Sequence, residues 1–169
     1  MHLIAKLEQE KKISPPRWLV GNVLYATLMG SHAYNCATSE SDYDVYGTVI
    51  PPKDILFRRD EIPDFDINVE KFQQFQASHI IHDGKEYDIT LYSLPRYFRL
   101  LANANPNLID SIFTPRTAVI HSTQVSELIR QKRKIFLSKK SYHTCKAYAM
   151  SQLHKMSTKE TTENSKRME

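Results

Sequence analysis

Met29-Gly30-Ser31-His32-Ala33-Tyr34-Asn35, followed by Ser41-Asp42-Tyr43-Asp44, decides how the rest of this chain is read. An apolar run, Val23-Leu24-Tyr25-Ala26-Thr27-Leu28, leads into a Gly-Ser turn, and eleven residues beyond Ser31 come two aspartates at i and i+2. Side chains alternate faces along a strand, so Asp42 and Asp44 on a strand point the same way, about 7 Å apart. Paired carboxylates suit hard cations, and magnesium takes one or two of them and fills its remaining sites with water and phosphate. Backbone N–H groups of the Gly-Ser turn can hold that phosphate, the more so where the turn opens a helix. The pattern predicts metal-dependent chemistry on a nucleoside triphosphate.

A third acid fits the same pattern. Residues 43–50 read as a strand stopped by Pro51-Pro52, with Tyr43 and Val45 facing away from the aspartates. Asp83-Gly84 is a strong hairpin signal. After it, Glu86-Tyr87-Asp88-Ile89-Thr90-Leu91-Tyr92 alternates, with Tyr87, Ile89 and Leu91 toward a core and Asp88, Thr90 and Tyr92 on the other face. Asp88 is then a lone carboxylate on the polar face of a strand; the plainer alternative is a surface ion pair with Lys85.

Elsewhere the pattern is coarser. Residues 1–12 read as a short amphipathic helix broken by Ser14-Pro15-Pro16, and residues 18–28 as an apolar strand bending at Gly21. Residues 31–38 are a short helix or loop, and the acidic, proline-interrupted residues 53–66 a loop. A helix is expected from Ser93-Leu94-Pro95, then a turn over 103–107, a helix over 108–113, a strand over 117–121 and a helix over 122–134. Residues 138–156 carry Tyr142, Cys145, Tyr148, Ala149, Leu153 and Met156 as the apolar stripe of a further helix. From 157 the chain turns polar, as a disordered tail does or as the beginning of a further region does. The expected division is a core over 1–121, a helical part over 122–156 and a polar tail over 157–169.

With 169 residues, 41% hydrophobic and 25% charged, the chain is the size of one globular domain with a real core. No apolar run reaches a membrane span, and the first residues lack a signal-peptide profile. Cys36 and Cys145 lie far apart without metal spacing and are expected to be reduced thiols of a cytoplasmic protein; no histidine pair has zinc spacing. The net charge of +4 permits a polyanionic partner without requiring one. Residues 130–140 hold six Lys/Arg and no acid, which fits either a solvated helix face or a track for nucleic-acid phosphate.

The string Gly30-Ser31-His32-Ala33-Tyr34 … Ser41-Asp42-Tyr43-Asp44 … Gly47 … Pro51 resembles the DNA polymerase β-type nucleotidyltransferase superfamily. Within it, the string is similar to the branch of predicted nucleotidyltransferases from phages and bacteria, some associated with RNA repair. Members usually have Gly where this chain has Asn35, and often Arg where it has Tyr46. The resemblance implies an α/β (α+β) fold, a mixed β-sheet core flanked by helices with further helices at the C-terminal end. It implies that Asp42, Asp44 and Asp88 together bind two Mg2+ or Mn2+ ions and are catalytic, and that Gly30, Ser31 and His32 hold the triphosphate. For His32 a capping and packing role stands equally; Tyr34 and Tyr46 read as packing residues, and Arg96 and Arg99 as solvated helix charges. The implied reaction moves a nucleoside monophosphate from an NTP to an acceptor hydroxyl and releases pyrophosphate. The expected acceptor is an RNA end; a protein hydroxyl is the alternative, and a silent nucleotide- or RNA-binding module of the same fold is a third reading. No membrane partner is expected.

Overall fold

β1 (Val23–Leu28) and β2 (Tyr43–Val49) run antiparallel and carry the two halves of the decisive stretch at their ends. The computed structural model describes residues 2–57 and 72–167. β3 (Gln74–His82) and β4 (Lys85–Ser93) form the hairpin expected at Asp83-Gly84. There φ is 51° at Asp83 and 71° at Gly84, both in the left-handed region that a two-residue hairpin turn of this type needs. β5 (Val119–Ser122) pairs with β1, and the sheet order is β3-β4-β2-β1-β5. Among the described residues only the β2–β4 pair is parallel. This mixed sheet with helices packed on it is the α+β architecture expected.

Among the described residues there are seven α-helices: α1 (Leu3–Gln9), α2 (Gly30–Ala33), α3 (Lys53–Leu56), α4 (Leu94–Ala102), α5 (Pro106–Phe113), α6 (Gln124–Gln131) and α7 (Lys139–Arg167). Their starts follow local chemistry. Ser93 and Asn105 cap α4 and α5, each accepting the backbone N–H three residues on, with a proline in the first turn; Thr123 and Ser126 cap α6 reciprocally. None of these helices is long and apolar enough to cross a membrane.

The sheet is covered on both sides. Val45, Val49, Ile89 and Leu91 join Ile4 and Leu7 of α1, Ile13 and Leu19 in one core, while Tyr97, Leu101, Leu108, Ile109 and Ile112 of α4 and α5 form a second beneath Tyr92. A polar network ties β1 to the helices. The Tyr25 hydroxyl donates to the Ser111 carbonyl at 2.9 Å, Arg130 donates to the Tyr25 oxygen and, at 2.8 Å, to the Thr114 carbonyl, and the Thr27 and Thr114 hydroxyls lie 2.8 Å apart.

Several expectations shift. The apolar run begins its strand at Val23, not at 18: Leu19 and Asn22 donate backbone bonds to Pro16 and Leu19 respectively, holding 18–22 in turns. Residues 53–56 form a helical turn rather than loop, and residues 58–66 of that expected loop lie outside the described residues. α5 starts at Pro106, inside the expected turn, because proline at the first helical position costs no backbone bond. α7 runs past Met156 to Arg167, and its stripe is open to solvent, with Tyr142, Leu153 and Met156 all exposed.

Candidate active site

Asp44 and Asp88 are opposite neighbours in the parallel register of β2 and β4, so both carboxylates leave the same face of the sheet. Tyr43 and Tyr87, one step back, leave the other face with ring centroids 5.0 Å apart. Asp42 lies one residue ahead of β2, near enough for its charge to act on Asp44. The two acids read from one strand and the one read from another are thus brought together by backbone pairing. Lys85, the alternative partner considered for Asp88, instead stands 4.8 Å over the Tyr43 ring.

Glycine is favoured beside this cluster. Gly30 has φ of 57°, and a Cβ built on it would lie 3.0 Å from Oδ2 of Asp44. The bare backbone therefore leaves a gap next to the carboxylate, and Ser31 follows in α2. Gly47 is strictly required: a Cβ there would overlap the Tyr25 carbonyl oxygen and lie 2.8 Å from Leu91 Cδ2. It lets β1 and β4 close on β2. Asn35 takes φ of 57° and so keeps a left-handed turn that Asn tolerates.

His32 has two partners already. Its Nε2 donates to the Ser41 carbonyl at 3.1 Å, and its ring stacks on Tyr43 at 3.7 Å between centroids. It braces the segment that enters β2.

The electrostatics of the cluster suit a cation. Burial pushes the Asp44 carboxyl up from its ordinary value, the charges of Asp88 and then Asp42 add to the shift, and His32 opposes them. Such crowding of acids is relieved by a divalent ion. As the side chains stand, no group of three or more His, Cys, Asp or Glu among the described residues closes on one point. Magnesium does not need one, since two carboxylates with water and phosphate complete its shell.

Two further groups make contacts that had no signal in the sequence, and the second corrects the packing role expected of Tyr34, which is exposed. β3 carries a bulge in which Ser78 and His79 together oppose Asp88. His79 takes φ of 56°, its backbone N–H donates to Asp88 Oδ1 at 2.8 Å, and its ring pairs with Glu86. Bulges of this kind re-aim side chains and concentrate next to active sites. The second group is Tyr34, whose hydroxyl donates to Asp110 of α5. A cavity of about 460 Å3 opens from Gly30 and Asp44 between Tyr46, Asn107 and Asp110 of α5, and Tyr148 of α7.

The basic run divides. Arg130 is buried in the Tyr25–Thr114 network, and Arg133 donates to the Arg130 carbonyl at 2.7 Å and lies over the Phe113 ring. These two charges are structural; neither the solvated-face nor the phosphate-track expectation describes them. Arg96 likewise donates to Gln73 at 2.9 Å rather than standing free.

Similarity to known proteins follows the same lines. A family model described as the RNA repair pathway DNA polymerase beta family matches residues 2–168. An uncharacterized 38.9 kDa protein of Enterobacteria phage T4, from the nrdC-mobD intergenic region, is 33% identical over 94 residues, or 55% of this chain. The chain spans about a quarter, 26%, of that relative's length. A solved nucleotidyltransferase-like protein from Exiguobacterium sibiricum 255-15 superposes with a TM-score of 0.47 at 9% identity, over 80% of this chain and 39% of its own.

Proposed function

The chain belongs to the RNA repair pathway DNA polymerase beta family, and from that premise we propose that it is a nucleotidyltransferase acting on an RNA end. It would move a nucleoside monophosphate from an NTP to a terminal hydroxyl. The observation that carries the reading is the in-register pairing of Asp44 with Asp88 beside the side-chain-free Gly30.

Each residue has a task in that reaction. Gly30 and Ser31 present backbone N–H groups to the β- and γ-phosphates, in a space that any side chain at position 30 would narrow. His32 keeps its bond to Ser41 and holds Asp42 and Asp44 in place. Two divalent ions, Mg2+ or Mn2+, held by Asp42, Asp44 and Asp88 would neutralise the triphosphate and acidify the acceptor hydroxyl. The hydroxyl oxygen attacks the α-phosphorus, the bond to the bridging oxygen breaks, and pyrophosphate leaves. Asp88, on the strand farther from Gly30, would face the incoming hydroxyl and take its proton. Positioning and charge neutralisation account for most of the acceleration in such phosphoryl chemistry.

The test is incubation of the protein with Mg2+ or Mn2+ and each labelled NTP, with and without RNA. Label transferred to RNA with matching pyrophosphate release is expected. Asp42→Asn, Asp44→Asn and Asp88→Asn should each abolish transfer while circular dichroism stays native. Label on a protein, or nucleotide binding without transfer, overturns the RNA-end reading.

A further inference from the structure

Tyr34 closes the Gly-Ser-His-x-Tyr motif, yet it is not a core residue: it is 52% exposed, and its hydroxyl donates to the Asp110 carboxylate. Burial of the hydroxyl and the neighbouring carboxylate push its pKa up to about 12, so it remains a donor throughout the physiological range. Asp110 sits on α5 three residues from Asn107, which places both side chains on one face of that helix. Both line the cavity that begins at Gly30 and Asp44, and the rings of Tyr46 and Tyr148 line it with them.

We propose that this cavity is the nucleoside subsite and that Asp110, clamped by Tyr34, selects an NTP whose base carries an exocyclic amino group. The inference rests on the nucleotidyltransferase reading above. A triphosphate seated at Gly30 leaves its nucleoside to occupy the adjoining space, and tyrosine rings are the surface on which a planar base stacks. An ionised carboxylate only accepts hydrogen bonds. Adenine and cytosine offer it an amino group, and guanine offers an amino group beside a ring N–H. Uracil offers one ring N–H flanked by two carbonyl oxygens, which the carboxylate repels. Asn107, with both a donor and an acceptor, can serve the neighbouring position on any of the amino-bearing bases. Fixing Asp110 through Tyr34 keeps the carboxylate in one orientation, and a site built around a hydrogen bond rejects ligands that leave it unpaired. The signature tyrosine is then a positioning residue for base choice.

The test measures binding of ATP, GTP, CTP, UTP and 2′-deoxy-ATP to the full chain with Mg2+, for the wild type, Asp110→Asn and Tyr34→Phe. At least one amino-bearing NTP should bind about tenfold or more tighter than UTP. Asp110→Asn should erase most of that ratio, and Tyr34→Phe should reduce it less, with thermal unfolding of both variants near that of the wild type. Equal binding of all four NTPs, or ratios untouched by Asp110→Asn, overturns the inference and leaves the enzyme reading standing. Loss of ribose-over-deoxyribose preference instead of base preference places Asp110 on the sugar and also overturns it. Failure of every NTP to bind the wild type removes the nucleotidyltransferase reading itself.

Discussion

The backbone N–H of His79 donates to Oδ1 of Asp88 because β3 carries one residue too many opposite that aspartate. One oxygen of Asp88 is thereby fixed. The backbone, not the imidazole, is what Asp88 uses. His79→Gly keeps both the N–H and the left-handed conformation and should retain transfer within a few-fold. Deleting His79 straightens the strand and withdraws the N–H, and kcat should fall about 100-fold, as for other ångström-scale misplacements. NTP affinity should change little. Steady-state kinetics decide this, and a deletion variant with wild-type kcat removes any role for the bulge.

Gly30→Ala should weaken nucleotide binding at least tenfold. It places a methyl group 3.0 Å from Asp44 Oδ2, and the φ of 57° adds a backbone cost of about 1–2 kcal/mol. Gly21→Ala is the control, since nothing lies within 4 Å of a Cβ there. Fluorescence titration with an NTP should separate the two variants clearly.

The metal-free protein should be more stable with Asp44→Asn than without it near pH 7. Burial, reinforced by Asp88 and Asp42, raises the folded-state pKa of Asp44 above its unfolded value. The folded state therefore binds the proton more tightly, and stability falls as pH rises through the interval above the ordinary carboxylate range. The advantage of the variant should shrink toward zero as pH drops below that interval. Magnesium should reverse the order, because an ion bound only to the folded wild type adds about 2.7 kcal/mol at 100 times its Kd. Urea unfolding at several pH values, with and without Mg2+, gives both signs.

Arg130→Ala should destabilise the fold by about 2–4 kcal/mol, because it leaves the buried Tyr25 hydroxyl and Thr114 carbonyl short of a donor. Arg130→Lys should not restore this, since one ammonium does not reproduce the fork that reaches both oxygens. Lys132→Ala, in the same basic run, should stay within about 0.5 kcal/mol of the wild type. Urea midpoints of the three variants are the measurement.

The parts of the site that were legible in the sequence are those written in short-range pattern. Asp88 could be assigned to a face because Tyr87, Ile89 and Leu91 alternate with it, and the hairpin before it was readable because Asp83-Gly84 suits two positive φ angles. The Gly-Ser turn and the aspartate pair were readable as one string. Trp18 to Asn22 reads as strand although it forms turns, because apolar residues that fold into turns look the same in sequence as those that extend a strand. The bulge at His79 had no signal, since neither Ser78 nor His79 is a residue type that demands one. Arg130 read as one of six similar charges because its partners, Tyr25 and Thr114, are distant in the chain. The link between Tyr34 and Asp110 spans 76 positions and was invisible for the same reason.

The parallel alignment of β2 and β4 also governs how this centre can change over generations. A shift of β4 by one position would send Asp88 through to the side where Tyr87 and Ile89 now pack. No half-step exists between those two arrangements. Loss of that alignment would therefore remove Asp88 from the face of Asp44 outright rather than by degrees.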